Sequence, residues 1–208
     1  MGRPREFKIE KALDAATKLF WRKGYDGTSL NDLTKAMGVT PPSFYFAFGN
    51  KEGIFRQAVE RYVQSCRGLA QAACDEPTAR EVAARFLHGL ADIFTDSVHA
   101  PGCLAMNSSL PCEAGDPIRA WLAEHREQFR QKFRDRFVKA RRAGDIVPEA
   151  DPDALARFVV VVAWGMAIEA QSGAGRKDLY RVIEAALAPW PDDAKPSMPK
   201  RAVAKPKH

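Results

Sequence analysis

The chain reads as an all-α protein, with an N-terminal three-helix unit followed by a larger helical domain. Three observations predict this. Apolar residues recur at i, i+3, i+4 and i+7 in one segment after another, the period of a helix buried along one face. Helix-start chemistry (Ser, Thr or Asp followed by Pro, or by an acid three residues on) precedes most of those segments. No segment alternates apolar and polar residues as a half-buried strand does. The run Val159–Val162 is β-prone by propensity, but it lies inside a capped helical segment, and no internal repeat is present.

The first helix is predicted by Ile9, Ala12, Leu13, Ala16, Leu19 and Phe20 and stops at Gly24. Residues 1–6, with Arg3 and Arg5, are expected to form a flexible basic arm before it. Ser29 then caps a short helix, with Asp32 completing a capping box and Leu30, Leu33 and Met37 forming its apolar face. Gly38 supplies the positive φ of a helix end, and Val39 anchors the turn. Pro41 and Pro42 suit the first turn of the next helix, where no N–H needs an intrahelical partner. Phe44 and Phe48 point inward, leaving Ser43, Tyr45, Phe46 and Ala47 outside. Two helices so short and so tightly joined have the layout of a helix-turn-helix over residues 29–48, with an ordinary αα-corner as the alternative. Lys51 opens a long helix through Ile54, Phe55, Ala58, Val59 and Tyr62.

Beyond residue 74 the punctuation is clear. Asp75-Glu76-Pro77 breaks the long helix, and Thr78 with Glu81 caps the next, which runs toward Phe94. A loop at His99-Ala-Pro-Gly leads to a short helix from Cys103 to Leu110. Asp116-Pro117 starts a long helix ending near Gly144. Asp151-Pro152 starts another through Ala170, and the last helix runs from Lys177 to Leu187. Residues 189–208 are Pro- and Lys-rich and are expected to be a disordered basic tail. The helix ending at Ala170 is apolar around much of its circumference, so two surfaces must cover it. Gly165, Ala167 and Ala170 would let another helix approach closely, which suits a four-helix bundle between two subunits. The alternative is that these helices are simply the core of a monomer.

The Gly-Arg-Pro-Arg opening, A-x-x-L-F at 16–20, G-Y-x-x-T-S-L at 24–30 and G-V-T-P-P-S-F-Y-x-x-F-x-N-K-E at 38–52 resemble the N-terminal domain of the TetR family of bacterial transcriptional regulators. The resemblance is strong over roughly the first 60 residues. It implies a DNA-binding domain at 7–52, an effector-binding and dimerisation domain at 53–188, and a ligand-responsive regulator, most simply a repressor. Such a regulator binds a palindromic double-stranded operator as a homodimer and is released by a small-molecule or electrophilic effector. Carried over by position, Thr28 and Ser29 would meet a phosphate, and Thr40, Pro42 and Ser43 would lead the recognition helix into the major groove. Tyr45 and Lys51 match phosphate-contacting positions. Phe46 stands where histidine is frequent, and Pro41 replaces a long polar reader, so the surface favours thymine methyls and backbone positioning over bidentate base reading. The dimer interface would comprise Val161, Trp164, Gly165, Leu179, Val182, Ile183 and Ala186.

For the effector site, Phe86, Phe94, Met106, Trp121, Phe129 and Trp164 are the apolar candidates, although aromatic residues at helical spacing also serve as plain core. Cys103, behind Pro101-Gly102, reads in two ways. It is a small buried hydrophobe, or it is a thiol activated at a helix N-terminus with Cys112 as resolving partner. The Gly-Cys-Leu context resembles a branch of the family that responds to electrophiles and oxidants. His99, Cys103, Cys112 and His125 lack metal-ligand spacing, and no cofactor is expected.

Charge and composition narrow the alternatives. The net charge of +6 looks like a nucleic-acid signature. Most of it, however, sits in Lys195, Lys200, Arg201, Lys205 and Lys207, so DNA attraction must come from local arrangement. The tail would suit a sequence-nonspecific DNA-packaging protein, but that role does not require so large an apolar second domain. An enzyme is not expected: the chain has scattered histidines and no nucleophile elbow, phosphate loop or paired-carboxylate motif. The charged N-terminus without an apolar segment, and a longest apolar run of only 158–168 against the ~20 residues of a membrane span, predict a cytoplasmic protein with no membrane partner. Its four cysteines show no C-x-x-C pair and are expected to be reduced.

Overall fold

The computed structural model describes residues 3–97, 100–108 and 117–192. In chain order the helices are α1 (Arg3–Lys23), α2 (Leu30–Met37), α3 (Pro41–Phe48), α4 (Lys51–Cys74), α5 (Ala79–Phe94), α6 (Leu104–Asn107), α7 (Pro117–Arg142), α8 (Pro152–Gln171) and α9 (Arg176–Leu187). Among the described residues there is no strand beyond a single isolated bridge between Ile146 and Asp192.

The local chemistry read from the sequence sets the helix ends. Ser29 Oγ accepts from the Asp32 N–H at 3.0 Å while the Ser29 N–H donates to the Asp32 carboxylate at 3.1 Å. Thr78 and Glu81 repeat the arrangement at the start of α5. Asp151 caps α8 through the Asp153 N–H at 2.9 Å. Gly38 closes α2 in the left-handed region at φ 65°.

Two apolar clusters follow one another along α4, the first on its N-terminal half and the second on its C-terminal half. The first gathers Ala16, Phe20, Leu33, Phe44, Phe48, Ile54, Phe55, Ala58 and Val59, and extends to Leu104, Ile118 and Leu122. The second joins α5, α7, α8 and α9 through residues such as Leu87, Phe133, Phe137, Val159, Met166 and Ile183. The 24 residues of α4 span about 36 Å and contribute to both clusters. The boundary expected at residue 52 therefore falls inside a continuous helix, whose first turns belong to the N-terminal core.

Several expectations are corrected. Residues 3–6 continue α1 instead of forming a flexible arm, because Pro4 sits in the first turn, where a missing N–H costs nothing. Ile9 lies on the predicted apolar face but remains 40% exposed. The tail is docked at its start: Trp190 is buried against Phe137, ring centroids 5.6 Å apart, and the Val147 N–H donates to Pro191 O at 3.1 Å. A large aromatic with an apolar groove at hand outweighs its Pro-rich surroundings. Residues 193–208 lie outside the described residues.

Candidate DNA-binding surface and effector cavity

The helix-turn-helix is built as an outward-facing surface on a buried footing. Phe44 is fully buried and Phe48 nearly so, which turns Tyr45 and Phe46 out to 51% and 79% exposure. Thr40 caps α3, accepting from the Ser43 N–H at 3.4 Å, and its hydroxyl lies 3.0 Å from Ser43 Oγ. Thr40, Pro42 and Ser43 thus stand together at the exposed leading edge of α3. The next helix begins beside them. Asn50 caps α4 through the Gly53 N–H at 2.7 Å, and Lys51 Nζ is held 4.2 Å from the centroid of the Tyr25 ring. Gly53 is required here, since a Cβ would stand 2.2 Å from the Phe48 carbonyl oxygen.

The structure corrects two of the assigned contacts. Thr28 is fully buried, and its hydroxyl donates to Gly24 O at 2.7 Å, so it supports the turn and does not face DNA. Ser29 is exposed, but its N–H and hydroxyl are both engaged by Asp32. Those two Ser29 groups, the N–H first, together with Lys23, hold the Asp32 carboxyl below the usual carboxylate range. Arg3 and Arg5 lie in the first turn of α1.

The second feature is a cavity of about 90 Å³ between α4, α5, α6, α7 and α8. Phe86, Phe94, Cys103, Met106, Phe129 and Trp164 line it, as the sequence suggested. Trp121 does not; its ring packs against His125 at 4.3 Å and under the Arg56 guanidinium at 4.9 Å, on the side facing the N-terminal core. Sequence reasoning missed Tyr62, Cys66 and Arg126, which also line the cavity. Tyr62 and Cys66 carried a helical-period signal already, but nothing local marks Arg126 among the many charges of α7.

Cys103 is the N-cap of α6, as its place after Pro101-Gly102 suggested, yet its thiol pKa is raised. Burial dominates, while the Tyr62 hydroxyl and the N–H groups of Met106 and Ala105 offset it only in part. A four-residue helix contributes little dipole against that desolvation. Cys66 is likewise pushed up, to about 12, chiefly by burial. Cys112 and His99 lie outside the described residues.

On the expected dimer face, Val161 and Val182 are exposed at 54% and 42%, Gly165 is open and Ala186 is half-buried. Phe158 and Ile168, not anticipated, extend the same stripe along α8. Leu179 and Ile183 are instead fully buried within the protomer, because α9 rotates them onto α5 and α8. Trp164 faces the cavity.

A helix-turn-helix with an exposed leading edge, carried on a helical domain that holds an apolar cavity, is the architecture of a transcriptional regulator. Residues 12–58 match the model of the bacterial regulatory proteins, tetR family. The HTH-type transcriptional repressor ComR of Escherichia coli (strain K12) is 35% identical over 196 residues, 92% of this chain and 92% of that protein. A cysteine mutant of the TetR family regulator CifR, complexed with 26-base-pair double-strand operator DNA, superposes with a TM-score of 0.82 at 35% identity. That match covers 88% of this chain and 96% of the other. Reduced E. coli NemR shares the fold, with a TM-score of 0.73 at 18% identity over 90% of this chain and 99% of that one. The chain belongs to the TetR family. Among the described residues, no helix is long and apolar enough to cross a membrane.

Proposed function

We propose that this protein is a repressor that binds a palindromic operator as a homodimer and is released when a small molecule occupies the cavity. The observation that carries the reading is the course of α4. Its N-terminal end holds Lys51 beside the recognition helix, and its middle supplies Tyr62, Val63 and Cys66 to the cavity wall. A ligand that moves this wall moves the helix on which the DNA-binding unit rests, and that differential contact is what an allosteric ligand requires. ComR is a repressor and CifR binds operator DNA, which supports the same direction.

In this reading Thr40, Pro42, Ser43 and Phe46 enter the major groove, while Tyr45, Lys51 and the basic first turn of α1 meet phosphates. Phe158, Val161, Gly165 and Ile168 of α8 pair with Val182 and Ala186 of α9 across a two-fold axis. The raised thiol pKa of Cys103 favours a noncovalent ligand over thiol chemistry at neutral pH. Footprinting on the protein's own upstream region, with light scattering for oligomeric state, tests the reading. A protected inverted repeat and a dimer mass are expected. A monomer at micromolar concentration, or uniform binding to random duplex, would sink it.

A further inference from the structure

The cavity is mostly apolar, and its polar members besides Arg126 are already engaged: His125 with the Trp121 carbonyl at 2.9 Å and the Glu60 carboxylate at 3.3 Å, and the Tyr62 hydroxyl with the Cys103 sulfur. Its walls are Phe86, Phe94, Met106, Phe129 and their neighbours, and against them stands the half-buried guanidinium of Arg126. Arg126 has no acidic partner among the described residues, and its guanidinium carbon lies over the Trp164 ring, 5.2 Å from the centroid. Stacking on an aromatic ring uses the face of the guanidinium and leaves its N–H edge able to meet a planar anion in bidentate fashion. The surroundings make that charge more demanding still. Burial first, and then the nearby positive charge of Arg119, disfavour the protonated guanidinium. A carboxylate there would relieve both penalties, whereas a neutral ligand would bury the charge further without compensation.

We propose that this cavity takes a short aliphatic carboxylate, with its carboxylate on Arg126 and its hydrocarbon body among Phe86, Phe94, Met106 and Phe129. The assignment rests on the effector role given to the cavity above and names the chemical class of the effector. The size of the space supports a short body. About 90 Å³ is less than the ~150 Å³ that holds one benzene ring, so an aromatic acid would require the wall to give.

Calorimetric titration of the full-length protein with pentanoate and with pentanamide separates the charged contact from the apolar one. Pentanoate should bind at least about tenfold more tightly. Arg126→Gln should abolish that preference, with pentanamide binding at least as tightly as it does to the unaltered protein, and Arg126→Lys should retain part of the preference. Equal affinity for acid and amide, survival of the acid preference in Arg126→Gln, or no binding of either probe would overturn the assignment. Operator release is followed in parallel by gel shift. Pentanoate that binds through Arg126 but leaves the operator complex intact would establish the site and remove the effector reading. Release by pentanamide at the same dose as pentanoate would keep the effector reading and remove the carboxylate.

Discussion

The Tyr62 hydroxyl donates a hydrogen bond to the Cys103 sulfur over 3.2 Å, and the same phenol ring meets Trp21 edge-on at 5.0 Å. One residue of α4 therefore touches the apolar cavity and the first helix of the DNA-binding domain at once. Its bond to sulfur favours the thiolate, but burial of Cys103 outweighs it. The thiol should thus be protonated at neutral pH. Iodoacetamide labelling, resolved by peptide mass mapping, should modify Cys103 more slowly than free cysteine at pH 7, and its rate should still be climbing at pH 9. Tyr62→Phe should slow it further at every pH. Labelling faster than free cysteine at pH 7 would show that the helix start governs this thiol after all.

Cys66 carries a pH dependence of stability with a definite sign. Its pKa in the folded chain, about 12, lies above the ordinary value of 9.0. As pH rises past 9 the unfolded chain loses this proton first, so stability is intact below pH 9 and falls from there toward pH 12. The loss is roughly 1 kcal/mol per pH unit over that window. Urea midpoints measured from pH 8 to 11 should decline, and Cys66→Ala should flatten the decline whatever it does to the midpoint at pH 8. Parallel pH profiles for the two proteins would refute the assignment.

Lys51 is positioned by Tyr25 and is proposed to meet the DNA backbone. Lys51→Ala should weaken binding to operator and random duplex alike by about 1–2 kcal/mol and reduce the salt slope by about one unit. Tyr25→Leu, which removes the ring under the ammonium but not the charge, should keep most of the salt slope while lowering affinity by less. Ser43→Ala should instead change the ranking of operator variants. Filter binding across a salt series distinguishes the three, and an unchanged slope in Lys51→Ala would exclude the phosphate contact.

The exposed stripe on α8 separates assembly from folding. Val161→Asp alters a residue 54% exposed in the protomer and should give a folded monomer by light scattering, with operator affinity lost. Ile183→Asp places a charge where the protomer is fully buried and should unfold the chain or lower its melting temperature sharply. A dimeric Val161→Asp protein would move the interface elsewhere.

The last helix is followed by a short docked segment, and the truncation point should matter accordingly. Ending the chain after Asp192 should leave the melting temperature unchanged, given the Pro- and Lys-rich composition that follows. Ending it after Ala188 removes the buried Trp190 from Phe137 and the Pro191 acceptor from Val147, and should cost about 3 kcal/mol. Equal melting temperatures for the two truncations would show that the docked segment is not part of the fold.

What the sequence by itself determined were the features whose chemistry closes within a turn of chain. The capping pairs Ser29 with Asp32 and Thr78 with Glu81, the left-handed Gly38, and the prolines at the starts of α3 and α8 place the helix ends where the residues indicated. Inward Phe44 and Phe48, with outward Tyr45 and Phe46, follow from the same 3.6-residue period. Only the tertiary structure decided which side of a helix meets which neighbour. The resemblance put Leu179, Val182 and Ile183 together on the dimer face, but the packing of α9 on α5 and α8 buries the first and third and leaves the second out. Trp190 gained a groove on Phe137, and Arg126 came to lie over Trp164 at the cavity, through contacts between residues far apart in the chain. Local hydrogen bonds are written in neighbouring residues, whereas burial and desolvation depend on what the rest of the fold brings alongside.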